Sequence, residues 1–264
     1  MPESTYNDGS YDIISAYYEV YNHTSRTFPE YIYELAMLEE LKRRGIAATR
    51  QDKYQITYKD QPVGLQQLDL FIAGEVVIEN KVVERLTRLH KAQVISYLKT
   101  VDKRIGLLFN FGGSKPEFNR LYFDPAKKPS ADPPQPKVVP SAEWLYPDLA
   151  YEIVGGLYEV HTLLGAGFVH RIYANACYHE LKLRGLAVKP AKRIQVAYKG
   201  KIISDLAFAH LLIESKIILF PVAIGQLRDI HLENLKQWLA YSEVQLGILA
   251  NFDAVKLEIM FIRS

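Results

Sequence analysis

Cysteine is almost absent from this chain of 264 residues, in which Cys177 is the only one. A single cysteine cannot form an internal disulfide, so a disulfide-stabilised scaffold is excluded and a reducing compartment, the cytoplasm, is expected. The N-terminal segment lacks the apolar core of a signal peptide, and no hydrophobic run is long enough to span a bilayer. We therefore expect no association with a membrane.

A strong excess of one charge is also missing, because 32 Lys and Arg residues nearly balance 30 Asp and Glu residues. The formal net charge of +2 excludes a polybasic coat for nucleic acid. Locally, however, the segment 182–201 contains basic residues and no acidic ones. Such a run is either a solvated surface or a surface that binds backbone phosphates. On the second interpretation, Arg184, Lys192 and Arg193 are candidate nucleic-acid-binding residues.

The segment 68–81 combines apolar strands with charged residues. Its pattern predicts two short strands joined by a turn at Gly74. A hairpin centred there places Asp69 opposite Glu79, and side-chain alternation puts Glu79 and Lys81 on one face. Two carboxylates beside an ammonium group can bind a hard cation next to a charge-stabilising group. The alternative is a strand with solvated charges on its outer face.

A similar segment occurs in the second half of the chain. There, a two-residue turn at Ala209 and His210 would place Asp205 opposite Glu214, with Lys216 on the same face as Glu214. The flanking segments repeat in the same order, which indicates an internal duplication.

Each copy is predicted as two helices, three strands, a helix, a strand and a last short strand. The first copy has predicted helices at 11–21, 28–44 and 88–100 and strands at 54–59, 65–72, 76–81, 105–111 and 121–123. The second has predicted helices at 149–164, 168–184 and 227–241 and strands at 194–198, 202–208, 211–218, 245–252 and 257–262. The proline-rich segment between them predicts a semi-rigid linker. We therefore divide the chain into a first repeat (11–123), a linker (124–146) and a second repeat (147–264).

These motifs resemble those of a known family. The residues that carry the resemblance in the first repeat are Glu30, Tyr33, Asp69, Glu79, Lys81, Gln93 and Tyr97. In the second repeat they are Gly167, Tyr173, Asp205, Glu214 and Lys216. The chain is similar to the GxxExxY proteins, which are placed in the PD-(D/E)XK nuclease superfamily.

The resemblance implies a mixed α/β fold, with two tandem αβββαβ domains of the restriction-endonuclease type forming a pseudo-dimer. It implies that Asp69 and Glu79 bind Mg²⁺ or Mn²⁺ and that Lys81 positions the attacking water or stabilises charge on the phosphate. Glu30 would reach the site from its helix, and Gln93 would bind substrate or support the site. Asp205, Glu214 and Lys216 would be the equivalents in the second repeat.

Departures from the family pattern distinguish the two repeats. The first repeat has Thr27 in place of the motif glycine. In the second repeat, His170 replaces the helix Glu, Asn234 replaces Gln and Trp238 replaces Tyr. We therefore expect a more complete site in the first repeat and a partly degenerate one in the second.

The expected function is hydrolysis of phosphodiester bonds in nucleic acid, with DNA as the expected partner. The first repeat would cut, and the second would support binding. Two alternatives stay open, namely a nucleic-acid-binding module with a residual site and an interaction protein on a nuclease-like fold.

Overall fold

The computed structural model describes residues 9–124, 145–190, 194–206, 210–227, 230 and 232–264, and of 194–197 and 204–206 only the backbone. Contacts divide the chain into two compact units. The first unit comprises Met1–Tyr54 and Leu65–Lys128, and the second comprises Gln55–Gly64 and Pro129–Ser264. The division changes unit within the predicted linker, and it differs from the predicted repeats because the segment Gln55–Gly64 belongs to the second unit.

Helices and one five-stranded sheet make up most of the first unit. Its helices are α1 (Ser10–His23), α2 (Glu30–Arg43) and α3 (Arg88–Val101). The strands of the sheet are β1 (Ala48–Arg50), β4 (Leu70–Ile72), β5 (Val76–Lys81), β6 (Ile105–Asn110) and β7 (Glu117–Tyr122). They lie in the order β1-β4-β5-β6-β7, and β5 and β6 are parallel while the other neighbours are antiparallel.

The apolar stripes of α1 and α2 explain where the core of the first unit lies. Tyr17 and Met37 from these helices are fully buried together with Ile78 and Phe109 from one face of the sheet. Tyr33 stacks on Phe111 with ring centroids 4.4 Å apart. Because side chains alternate along a strand, the residues between these apolar positions point to the face that carries α3.

The second unit has the same order of elements. Its helices are α4 (Pro147–Leu164), α5 (His170–Leu183) and α6 (Leu232–Tyr241). Its sheet is built from β8 (Val188–Pro190), β11 (Leu211–Ile213), β12 (Ile217–Val222), β13 (Leu246–Asn251) and β14 (Glu258–Arg263), in the order β14-β13-β12-β11-β8. Tyr173 stacks on Phe252, at 4.6 Å, as Tyr33 does on Phe111. The predicted mixed α/β fold in two tandem regions is thus confirmed, with six helices among the described residues; the pseudo-dimer stays a prediction.

Two further hairpins complete the description, and both belong to the second unit for most of their length. They are β2 (Lys53–Tyr58) with β3 (Gln61–Gln67), and β9 (Ile194–Tyr198) with β10 (Lys201–Leu206). The hairpin β2–β3 is anchored on α5 by Tyr58 and Lys59. The Tyr58 hydroxyl and the Lys59 ammonium donate to Glu180 Oε2 at 2.8 and 2.7 Å. A segment predicted as part of the first repeat is therefore held by the helices of the second unit.

A balanced group of charges surrounds this contact. Arg184 donates from Nε to Glu180 Oε1 at 2.8 Å and from Nη2 to Glu159 at 2.9 Å, and Lys59 pairs with Glu159 as well. Burial alone would raise the pKa of Glu180, but the hydrogen bonds from Lys59, Tyr58 and Arg184 outweigh burial and lower it. Two carboxylates therefore face two cations, so the buried charge is compensated.

Three predicted strands are wrong in their bounds, and the one predicted at 121–123 begins earlier, as β7 at Glu117. The predicted strand 65–72 is two strands, because β3 ends at Gln67 and pairs with β2 while β4 starts at Leu70. The predicted strand 211–218 is also two strands, with a turn at residues 214–216. Positive φ angles of 49° at Glu214 and 54° at Ser215 give this turn its reversal. The short strands β1 and β8 were not predicted at all.

Candidate active site

Asp69 and Glu79 lie side by side at the end of the hairpin β4–β5. The strand register pairs Leu70 with Ile78, so Asp69, the preceding residue, faces Glu79. The Asn80 backbone N–H donates to Asp69 Oδ2 at 2.8 Å, which fixes that carboxylate against β5. The opposition that the sequence predicts for these two acids is therefore present in the structure.

Lys81 completes this group. Its ammonium donates to Glu79 Oε1 at 2.6 Å, and only 15% of the Lys81 side chain and 4% of the Glu79 side chain are exposed. Burial raises the pKa of Glu79 although Lys81 opposes the shift. Burial alone would lower the pKa of Lys81. The charge of Glu79 and its hydrogen bond with Lys81 have the larger combined effect, so the pKa of Lys81 is raised. The lysine is thus held in its charged form beside the buried Glu79 carboxylate and the partly buried Asp69.

Glu30 lies at the rim of the group, at the first residue of α2. Its Oε1 accepts a hydrogen bond from the Val82 N–H at 3.3 Å, one residue beyond β5. The charge of Glu30 also contributes to the raised pKa values of Glu79 and Lys81. The helix start thus brings a third carboxylate towards the two strand carboxylates.

Glu34 is a residue that the sequence analysis missed. It lies one helical turn after Glu30 and is 4% exposed, and its Oε2 accepts from Arg50 at 2.9 Å and from Gln51 at 2.8 Å. Its charge also raises the pKa values of Asp69 and Glu79. An acid in the buried stripe of an amphipathic helix was the signal that could have revealed it.

Gln93 belongs to a second polar group, on α3. Its Nε2 donates to the Tyr97 hydroxyl at 2.8 Å, and Gln66 Nε2 donates to the same hydroxyl at 3.3 Å. The Gln66 side-chain oxygen is buried and has no hydrogen-bond partner within the part of the chain that the structure describes. Because α3 packs against β5, the side-chain amides of Gln93 and Gln66 lie on the same face of the sheet as Glu79. Gln66 had not been predicted.

The donor set suits a hard divalent cation. Within the described residues no three His, Cys, Asp or Glu side chains converge closely enough to hold a metal ion, so Asp69 and Glu79 would bind one together with water. Mg²⁺ keeps several waters and is typically held by one or two carboxylates. Burial and the neighbouring Glu79 charge raise the pKa of Asp69 to about 8. A cation would relieve this repulsion, so the residues fit Mg²⁺ or Mn²⁺.

The raised pKa of Asp69 predicts how stability depends on pH without metal. The folded protein holds this proton up to a pH of about 8 and the unfolded chain only to 3.8. Stability should therefore fall between these values, by up to about 1.4 kcal/mol per pH unit. Asp69→Asn keeps an acceptor for the Asn80 N–H and removes the titration, so its stability should fall less steeply.

Urea unfolding of the wild type and Asp69→Asn in chelator, at pH 5 and pH 7, measures this difference. The advantage of the variant should grow by about 2 to 3 kcal/mol between the two pH values. Parallel stability curves for the two proteins would contradict the assignment of the shift to Asp69.

The predicted site in the second repeat is wrong in its geometry. Glu214 and Lys216 lie in and directly after the turn between β11 and β12, where Glu214 Oε1 accepts from the Ala187 N–H at 2.6 Å. Lys216 is exposed beside the Tyr146 ring. Asp205 lies in β10, opposite Gln195 of β9, and its side chain is outside the described residues. The register pairs Leu211 with Leu219, so Asp205 does not face Glu214 and the three are not equivalents of Asp69, Glu79 and Lys81.

Other residues occupy the equivalent positions. Asn110 and Asn251 end the matching strands β6 and β13, and the pairing of these strands aligns Glu79 with Phe220 and Lys81 with Val222. His210 directly precedes β11, as Asp69 precedes β4. The His210 ring contacts the Phe220 ring edge to face, with centroids 4.5 Å apart. The second repeat therefore has an aromatic group where the first has its carboxylates.

The basic segment 182–201 is not a uniform phosphate-binding surface. Arg184 is paired with Glu180, Glu159 and Glu152, which argues against its prediction as a nucleic-acid-binding residue. Lys192 and Arg193 lie outside the described residues, so their role stays a prediction.

Comparison with known proteins agrees with this geometry. The family model of the PD-(D/E)XK nuclease superfamily matches residues 7–121 and again residues 147–263. The chain therefore belongs to the PD-(D/E)XK nuclease superfamily, and it contains two tandem regions of that type. The narrower resemblance to the GxxExxY proteins stays a prediction.

No curated protein matches the chain. A solved structure, described as the crystal structure of SSO0001, aligns with 45% of this chain and 80% of its own length, at 14% identity and a TM-score of 0.24. Among the described residues, no helix is long and apolar enough to cross a membrane.

Proposed function

We propose that the first repeat is a metal-dependent nuclease that hydrolyses phosphodiester bonds of nucleic acid, with DNA as the substrate. The observation that carries this proposal is the group of Asp69, Glu79 and Lys81 on adjoining strand ends, with Lys81 and Glu79 in contact at 2.6 Å. Membership of a nuclease superfamily supports it. We propose the cytoplasm as its location, on the basis of the single cysteine.

Each residue has a proposed role. Asp69 and Glu79 hold Mg²⁺ or Mn²⁺, which when bound would polarise the phosphate and lower the pKa of a water. Lys81 donates hydrogen bonds to the phosphate oxygens and so stabilises the charge that grows on them. Glu30 at the rim orients the attacking water through a hydrogen bond. Gln93, fixed by Tyr97, binds the substrate from α3.

Cleavage of single- and double-stranded DNA and RNA, with Mg²⁺, with Mn²⁺ and with chelator, tests this function. Glu79→Gln should lower the cleavage rate by roughly a hundredfold or more, because it removes a metal ligand. Glu75→Gln is a matched control, since Glu75 is 73% exposed in the turn of the same hairpin. Its rate should equal that of the wild type.

Calorimetric titration with both metals separates binding from chemistry. Metal binding that Glu79→Gln abolishes, without cleavage of any substrate, would overturn the nuclease proposal. In that case the alternative function would be a nucleic-acid-binding module with a residual site. Retained binding of DNA would identify it.

A further inference from the structure

A cavity of about 470 Å³ opens in the second unit, along the first ten residues of α5. It is lined by Pro62, His170, Arg171, Ala174, Asn175, Tyr178, His179, Pro190, His210 and Leu211. Its size is within the range of sites that bind small molecules. Pro62 reaches it from the hairpin β2–β3, whose position is fixed by a hydrogen bond from Asn175 Nδ2 to the Val63 carbonyl at 2.8 Å.

The cavity lies where the second repeat should have its metal site. The matching helices α2 and α5 both have fourteen residues, so His170 occupies the position of Glu30, and Ala174 occupies that of Glu34. Two acids are thereby replaced by a histidine and a small apolar residue. The lining residues that the structure describes include no carboxylate, so they do not offer a hard cation the ligands that the first repeat offers.

Instead, the lining offers groups that suit an anion and a planar ring. Arg171 is an exposed guanidinium, a group that binds phosphate through two parallel hydrogen bonds. His170 and His179 add ring N–H donors on the same helix. The ring of Tyr178 has the His179 ring at its edge, with centroids 5.6 Å apart, and Lys182 Nζ over one face at 5.3 Å from the ring centroid. Its other face is the surface on which a base can stack.

We infer that this cavity binds a single nucleotide at the 5′-phosphorylated end of a single-stranded nucleic acid. Arg171 would bind the terminal phosphate, and Tyr178 would stack on the base. The inference deepens the proposed function and rests on it for the nature of the ligand. The second repeat would then hold an end of the strand in a cavity that has lost its metal-binding acids.

Binding of a 5′-phosphorylated deoxyadenosine dinucleotide, measured by calorimetry in chelator, tests the inference. Arg171→Gln should weaken binding about tenfold, since a charge-assisted hydrogen bond is lost. Arg171 is exposed, so the fold should tolerate this change. Lys256→Gln removes one exposed cation from the same unit outside the cavity, and its dissociation constant should stay within about twofold of the wild type.

The same dinucleotide without its 5′-phosphate completes the design. Removal of the phosphate should weaken binding by the wild type about tenfold and leave binding by Arg171→Gln nearly unchanged. Equal losses in both proteins, or no measurable binding by the wild type, would overturn the inference. Because these measurements contain no divalent metal, they are independent of cleavage. Cleavage without dinucleotide binding would reject this inference alone, and binding without cleavage would reject the nuclease proposal alone.

Discussion

The double variant Glu79→Gln/Lys81→Met should be nearly as stable as the wild type and should have lost metal-dependent cleavage. The two side chains form a buried ion pair in which neither group is more than 15% exposed. Removing one partner of such a pair leaves an uncompensated buried charge and costs about 3 to 5 kcal/mol. Removing both replaces the pair by groups of similar size without net charge, which is often nearly neutral.

Cleavage should respond differently. Lys81→Met removes the group that stabilises charge on the phosphate, and Glu79→Gln removes a metal ligand, so each single variant should lose about a hundredfold or more in rate. The double variant should regain stability relative to the single variants, but it should not regain cleavage activity. Urea unfolding and cleavage rates of the wild type, both single variants and the double variant provide the full cycle.

Two results would contradict this expectation. If cleavage recovered together with stability in the double variant, the pair would act only through the fold. If the double variant were as unstable as the worse single variant, the loss of the Glu79–Lys81 pair would not explain the cost of the single substitutions.

Glu180→Leu should destabilise the second unit by about 3 to 5 kcal/mol. The Glu180 side chain is 2% exposed and accepts hydrogen bonds from Tyr58, Lys59 and Arg184. Its loss leaves Lys59 and Arg184 without their most buried partner, facing only Glu159 and the half-exposed Glu152, and removes the acceptor of a buried phenol. The lowered pKa of Glu180 means that its contribution is present at neutral pH and is lost as the pH falls through that lowered value.

Tryptophan fluorescence during urea unfolding measures this effect, because Trp238 lies in α6 of the second unit. Glu233→Ala is the control, since it breaks an exposed pair with Lys236 and should change stability by less than about 1 kcal/mol. Hydrogen exchange should also become faster in the hairpin β2–β3. Unchanged exchange there would show that Glu180 does not anchor the hairpin.

Strong periodic patterns made most elements predictable from the sequence. The helices α1 and α3 and the strands β5 and β9 agree with prediction to within about two residues, because apolar periodicity and local end signals fix them. The apposition of Asp69 and Glu79 followed from strand alternation and a turn at Gly74. These rules depend only on residues close together in the sequence, and they are reliable where those residues alone determine the structure.

The second repeat shows where local rules fail. The spacing of Asp205 and Glu214 resembles that of Asp69 and Glu79, and the prediction of a second site was based on this resemblance. An alignment of the two repeats without a gap matches other residues. The separation along the chain that relates Asn110 to Asn251 also relates Glu79 to Phe220, with no gap. The strand β12 is apolar and buried, so it has to enter the sheet, whereas Glu214 and Ser215 can occupy the turn.

Other features depend on contacts between residues far apart in the sequence, which local sequence patterns do not predict. The role of Glu34 depends on Arg50 and Gln51, which reach it from β1 and the residue after it. Asn80 is fully buried, and its side-chain nitrogen and oxygen have no partner within the described ranges. Nothing in the structure explains this amide.

The location of the hairpin β2–β3 has a consequence for expressing the two repeats as separate polypeptides. A split within the proline-rich segment between the repeats would give two polypeptides, and the second would lack Gln55–Gly64. Its α5 would then present Glu180 without the Tyr58 and Lys59 donors. The two halves could be expressed apart only if the hairpin were supplied in trans, as a separate peptide or on the partner polypeptide. Complementation between the two fragments would therefore depend on Lys59.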